Sequence, residues 1–344
     1  MVMDMQKLET LPPPPGVIAS LQAGFNVVSN RIVLIVLPVL LNAFLWLGPR
    51  VSVGQWYGAL FDNWLALLKR NNFPAQELAV YTENAPILME LMDKLNWLGW
   101  VRTLPIGIPA LMLDLPSKFP VPTPLGIQNV VQLSSFTVMF GSALLLTFIG
   151  WLGGGLYFRI VAGASLGEEE AGIGLVRAFA QTILLSILWV IGSIIIILPL
   201  IIVISLLSAI NPLLAQAAFF LILFFMFWLI VPLFFTPHGI FVRKQNAIVS
   251  IMSSLRMSRF TLPTSSMFVL SVFLLSRGLS YLWTVPASDS WLLFVGIFGH
   301  AFISTTLLAA SFVYYRDMNN WLQNVYERFQ QMNNKASMKK TKSF

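Results

Sequence analysis

The chain has 344 residues, of which 57% are hydrophobic and only 10% charged, with a mean hydropathy of +0.78, well outside the usage of soluble globular proteins. Its net charge of +7 does not mark a nucleic-acid binder, because the basic excess sits at the ends of apolar runs and in residues 316–344. With no cysteine, disulfides, a thiolate nucleophile and cysteine-based zinc or iron–sulfur sites are excluded.

Residues 1–31 form an N-terminal segment in which Ile18, Leu21, Phe25 and Val28 fall on one helical face, as in helices that lie in the membrane interface. Six apolar runs follow, at 32–48, 131–158, 178–208, 213–242, 264–287 and 291–315. In lipid, only a helix satisfies every backbone N–H and C=O of such a run internally. The first run is expected to be a retained span, since no small-residue cleavage site follows Leu47-Gly48-Pro49-Arg50. The expected fold class is all-α: a polytopic integral membrane protein with six transmembrane helices, interfacial amphipathic helices and an extracytoplasmic helical insertion.

That insertion, 49–130, carries six basic and six acidic residues. Loops of this length translocate largely regardless of charge. Tyr57, Leu60, Phe61, Trp64 and Leu68 make one helical stripe, and Ile87, Leu91, Leu95, Leu98 and Val101 another. Two amphipathic helices are expected, with Trp56, Trp64, Trp97 and Trp100 at the headgroup layer and a proline-rich return over 104–124. Such a cap either covers the helix ends or docks an extracytoplasmic partner.

Basic residues crowd the loop 159–177, with Arg159 and Arg177, and the segment 243–263, with Arg243, Lys244, Arg256 and Arg259. The turns at 209–212 and 286–290 carry none. The positive-inside bias therefore puts both termini in the cytoplasm, with the protein in the inner (plasma) membrane. The tail 316–344 agrees, and from Met332 it is expected to be disordered and to hug anionic lipid. The second, fourth and sixth spans each end in an aromatic residue and arginine: Tyr157-Phe158-Arg159, Phe241-Val242-Arg243 and Tyr314-Tyr315-Arg316. Short amphipathic segments at 17–30, 173–181 and 247–260 precede the first, third and fifth. A threefold hairpin repeat and convergence under the positive-inside bias both account for this pattern.

Chemical motifs are scarce. Gly163-Ala164-Ser165-Leu166-Gly167 matches the G-x-S-x-G string but is expected in a polar loop running into Glu168, Glu169 and Glu170, not on a strand-to-helix elbow. Only two histidines, His238 and His300, are present, and no span contains Asp or Glu. No catalytic residue, metal site or cofactor is therefore assigned. His238, beside Pro237 at the end of the fourth span, is expected to be an ordinary interfacial residue.

Arg277 is the one arginine or lysine within a span, and burying it there costs about 2.5–3.5 kcal/mol on insertion scales. Residues 277 and 300 lie equally far from residue 288, so an antiparallel hairpin puts Arg277 and His300 at one depth. Ser280 and Thr284 share the face of Arg277, and Ser304 lies one turn from His300. This seam is either an anion site, built from Arg277, His300, Ser280, Thr284 and Ser304, or a lock in which Arg277 bonds His300 or reaches Asp289. Gly150 and Gly154 form a G-x-x-x-G string that lets another helix pack closely, within the bundle or in a dimer.

The run Phe234-Phe235-Thr236-Pro237-His238-Gly239-Ile240-Phe241-Val242-Arg243-Lys244-Gln245-Asn246-Ala247-Ile248, continued by Leu255-Arg256-Met257-Ser258-Arg259, resembles an element of uncharacterised bacterial multi-spanning membrane proteins. These are related to the membrane domain of some glycerophosphodiester phosphodiesterases. The resemblance implies a multi-helix membrane domain, and no hydrolase activity, since the chain has no soluble catalytic domain. The expected role is non-enzymatic: binding or transport of a lipid or small anion, or an accessory role in a membrane complex. The alternative is an intramembrane lipid-modifying enzyme using Arg277 and His300. The expected partners are membrane lipids and another membrane subunit or a second copy of the chain, with no nucleic acid.

Overall fold

The computed structural model describes residues 13–113, 119–167 and 172–341. The described chain is all-α apart from four strands of two or three residues. Its helices are α1 (Val17–Asn30), α2 (Val36–Leu47), α3 (Gly54–Arg70), α4 (Ala75–Lys94), α5 (Phe136–Leu166), α6 (Leu175–Ile210), α7 (Pro212–Phe234), α8 (Thr236–Arg243), α9 (Ala247–Trp283) and α10 (Leu293–Thr341). Five stretches among these residues are long and apolar enough to cross a membrane: α5, α6, α7 with α8, α9, and α10 as far as Gln331. A sixth is obtained only if α1 and the helical segment Ile32–Leu47 are counted as one bent span. Alone, Ile32–Leu47 opens with a 3-10 turn and stops before Gly48-Pro49, short of the ~20 residues a span requires.

The chain divides into two compact units. One comprises the chain up to Arg31, Phe158–Ser276 and everything from Thr305 onward. Its core is aromatic: Phe158, Phe235, Phe241, Phe268, Phe312, Tyr314 and Tyr315 are buried, and Phe268 stacks on Tyr314 at 4.1 Å between centroids. Pro237 supplies no N–H to the carbonyl of Leu233, and the Thr236 hydroxyl donates to that oxygen at 2.8 Å. Ser250 donates to the carbonyl of Thr236 at 2.5 Å, and Ser254 to that of Pro232, so a serine face of α9 packs on the broken turn between α7 and α8. Gly24 of α1 lies against the backbone of Thr306 and Ala310, where a Cβ would collide.

Two of the three expected interfacial segments are set off from their spans. Asn30 ends α1, and Thr261 (φ −123°, ψ 18°) kinks α9 two residues before Pro263. The third, 173–181, is different: α6 begins at Leu175 and runs on without a break, since nothing in Leu175–Ile210 interrupts it before Pro199. The tail also departs from expectation, because α10 continues to Thr341 through residues with good helix propensity, such as Lys, Met and Ala. The G-x-S-x-G string is not in a loop either. Ser165 lies in the last turn of α5 and donates to Val161 at 2.7 Å, while Glu168, Glu169 and Glu170 lie outside the described residues.

The second unit comprises Ile32–Tyr157 and Arg277–Ser304. Here α3 and α4 pair around Phe61, Leu65 and Ala85, with Tyr57, Leu78 and Met89 closing over them. The expected second stripe ends early: α4 stops at Lys94, and Leu98 and Val101 belong to a 3-10 turn, Trp97–Val101. Asn96 makes that break, its side-chain oxygen accepting from Leu98 at 3.2 Å and from Val51 at 3.3 Å. Strand β1 (Arg50–Ser52) pairs in parallel with β4 (Val130–Gln132), joining the two ends of the insertion, and β2 (Pro122–Thr123) pairs antiparallel with β3 (Gly126–Ile127).

Residues 102–112 do not simply return over a surface. Thr103, Ile106, Ala110 and Leu111 are buried, and the segment is held from two sides. Asn42, fully buried in α2, donates to Pro109 at 3.1 Å and accepts from Leu111 at 2.6 Å and Met112 at 3.1 Å. Gly150 and Gly154 of α5 face the backbone of Val101 and of Ile106 and Gly107. The G-x-x-x-G face thus seats an irregular chain segment of the same unit.

Candidate anion-binding cavity

Arg277 and Ser280 on the last turns of α9, with Thr284 just past its end, line a cavity of about 530 Å³ within the second unit. Its other walls come from the end of α2 (Leu45, Trp46), from Arg50 of β1, from Leu111 and Met112 of the buried segment, and from Gln128. Each wall is fixed by an identifiable contact. Trp46 donates its indole N–H to Ser288 at 2.8 Å and meets Trp291 edge-on at 5.9 Å. The Gln128 amide donates to Leu45 at 3.1 Å, Trp46 at 3.3 Å and Gly48 at 2.8 Å, capping carbonyls that the end of α2 leaves open. Trp283 closes α9 against Gly296 and Gly299 of α10, where any Cβ would strike it.

Arg50 is 5% exposed and carries a full charge into this environment. Its Nη2 donates to the carbonyl of Lys94, its guanidinium lies 5.9 Å from the centre of the Phe119 ring, and its Nε has no hydrogen-bond partner. No carboxylate among the described residues pairs with it. Desolvation holds its pKa below the ordinary arginine value. Arg277 is exposed and makes no hydrogen bond or ion pair among the described residues. Thr284 turns its hydroxyl proton back onto the end of α9, to Tyr281 at 3.1 Å and Ser280 at 3.3 Å.

The cavity walls therefore carry two guanidinium groups and no described carboxylate. A buried cation without a counter-ion is costly, and an anion in the cavity would supply the missing charge. The volume lies within the range of about 300–1,000 Å³ typical of pockets for drug-sized molecules, more than a small inorganic anion requires.

Of the five residues grouped by sequence, the structure brings three to this cavity and leaves two apart. His300 is buried and bonds Ser304 at 3.4 Å, but neither lines the cavity, and Arg277 does not bond His300. Arg277 is also nearer the end of its helix than expected. α9 ends at Trp283, six residues on, about 9 Å at the rise of an α-helix. Arg50 and Gln128 were not singled out by sequence. The available signal was a basic residue directly after the first apolar run.

His238 is buried inside the protein, not exposed at a surface. It is 2% exposed, its Nε2 lies 2.7 Å from the Ser311 hydroxyl, and Phe234, Phe235, Phe312 and Tyr315 surround its ring. No group of three or more His, Asp or Glu among the described residues could hold a metal ion. Compared with protein-family models, with curated proteins and with solved structures, the chain matches none.

Proposed function

We propose that the protein is a non-enzymatic, multi-pass component of the inner membrane that binds an anionic group, from a lipid or a small solute, in the cavity beside Arg50 and Arg277. One observation carries this reading: two guanidinium side chains, one of them buried without a counter-ion among the described residues, share a cavity that no described carboxylate lines. The five apolar helices support membrane residence, and the basic loops after the second and fourth spans support cytoplasmic termini.

A transport step or a scaffold role in a membrane complex is compatible with such a site. An enzyme relying on Arg277 with His300 has less support, because these two side chains are not bonded and His300 is absent from the cavity.

The test is native mass spectrometry of protein extracted with its surrounding lipid, comparing wild type with Arg277→Leu. Anionic species retained by wild type and lost from the variant support the reading. Equal retention by both, or none by either, removes it.

A further inference from the structure

Resting on that reading, we infer that the bound anion is the phosphate of a membrane phospholipid, whose phosphate is held by Arg277 beside the buried charge of Arg50 while its glycerol and upper acyl carbons lie against the apolar wall.

Three features select a lipid over a free anion. The first is depth. Arg50 stands three residues after the end of α2, and Arg277 six residues before the end of α9, so both guanidinium groups lie where apolar helices terminate. That is the level at which a bilayer carries its phosphates. The second is size and composition. A cavity of about 530 Å³ exceeds one phosphate, and Leu45, Leu111, Met112, Val121, Val285 and Leu293 give it an apolar wall that a hydrated inorganic anion does not use. The third is division of labour among the donors. Gln128 commits its amide hydrogens to three backbone carbonyls and Thr284 commits its hydroxyl to α9, so these groups shape the cavity. Arg277 alone brings a full set of uncommitted donors, in the fork geometry that fits two phosphate oxygens.

The experiment uses the full chain in detergent, titrated with short-chain phosphatidylglycerol, with short-chain phosphatidylcholine and with inorganic phosphate, read by thermal stabilisation and by retained mass. Arg277→Gln is the main variant, since its side chain makes no bond within the described protein. Arg277→Lys keeps the charge without the fork and guards against a purely coulombic effect.

Phosphatidylglycerol should stabilise wild type, Arg277→Gln should bind it at least about tenfold more weakly, as expected for a lost charge-assisted contact, and Arg277→Lys should fall between. Inorganic phosphate that saturates the site as tightly as the lipid would overturn the lipid assignment while leaving anion binding intact. Binding of phosphatidylglycerol unchanged in Arg277→Gln would overturn the role of Arg277 and the lipid site with it. A wild type that responds to neither phosphate nor phosphatidylglycerol would overturn this inference and the proposed function together.

Discussion

Asn42, in the middle of the short apolar helix α2, accepts the backbone N–H of Leu111 on its side-chain oxygen at 2.6 Å. The same side chain takes Met112 N–H and donates to Pro38 and Pro109, so one amide serves four backbone groups. A non-helical segment packed among apolar helices keeps its polar groups only if protein satisfies them, and Asn42 does this for residues 109–112. The apolar wall contributed by Leu111 and Met112 depends on that contact.

Asn42→Leu, close in volume, leaves two N–H groups and one carbonyl without their partner. Each buried unsatisfied group costs about 1–3 kcal/mol, so a loss of about 2–5 kcal/mol is expected, partly relieved by local loosening. Thermal unfolding of the purified protein measures it. A second readout is proteolysis at Arg102, which should accelerate as residues 102–112 come away. A melting temperature unchanged by Asn42→Leu contradicts this account.

The glycines of α5 separate close approach from helix propensity. At Gly150 and Gly154 a Cβ would run into backbone, which cannot step aside, whereas at Gly163 nothing lies nearby. Gly150→Ala and Gly154→Ala are expected to destabilise, while Gly163→Ala should stabilise by up to about 1 kcal/mol, the helix-propensity difference between the two residues. If the string mediated dimerisation instead, Gly150→Ala would change the oligomeric state without exposing residues 102–112. Light scattering together with proteolysis distinguishes these outcomes.

The sequence was most legible where one physical constraint acts alone. Apolar length located α5 to α10, because lipid tolerates no other backbone, and the stripe at Tyr57 and Phe61 located α3. The change from the amphipathic segment 247–260 to the apolar run from 264 bracketed the break in α9 at Thr261. What stayed hidden depends on contacts far apart in the chain. Nothing local in Leu41-Asn42-Ala43 says that the asparagine holds residue 111, and nothing in Pro49-Arg50 says that the arginine meets a wall built by Arg277. Arg277 and His300 would meet at one depth only in a long, straight hairpin. α9 ends at Trp283, and the turn beyond it is wide enough for a cavity lining that His300 does not reach.

Absence of cysteine allows the cavity to be probed without background thiols. Thr284→Cys, on an exposed cavity wall, is expected to react readily with a charged, membrane-impermeant thiol reagent, and Ala301→Cys, fully buried one residue after His300, is expected to resist it. Short-chain phosphatidylglycerol should slow labelling at 284. Equal labelling at both positions would mean that the cavity is not the distinct opening described.

His238 and Ser311 provide the corresponding test in the other unit. Their 2.7 Å contact is buried and surrounded by rings. Ser311 also donates to Leu308 at 2.7 Å, so its hydroxyl proton is committed, and the imidazole Nε2 is left to supply the hydrogen between them. That arrangement makes the histidine a structural donor inside an aromatic core. His238→Phe keeps the ring and removes the donor, and should cost about 1–3 kcal/mol, whereas the same change in a Ser311→Ala background should cost less by about 1 kcal/mol, the net value of one hydrogen bond. A double-mutant cycle on thermal stability measures the difference. Strict additivity would mean that the pair contributes nothing beyond packing. A loss of ligand binding in His238→Phe at unchanged stability would instead make His238 part of a second site.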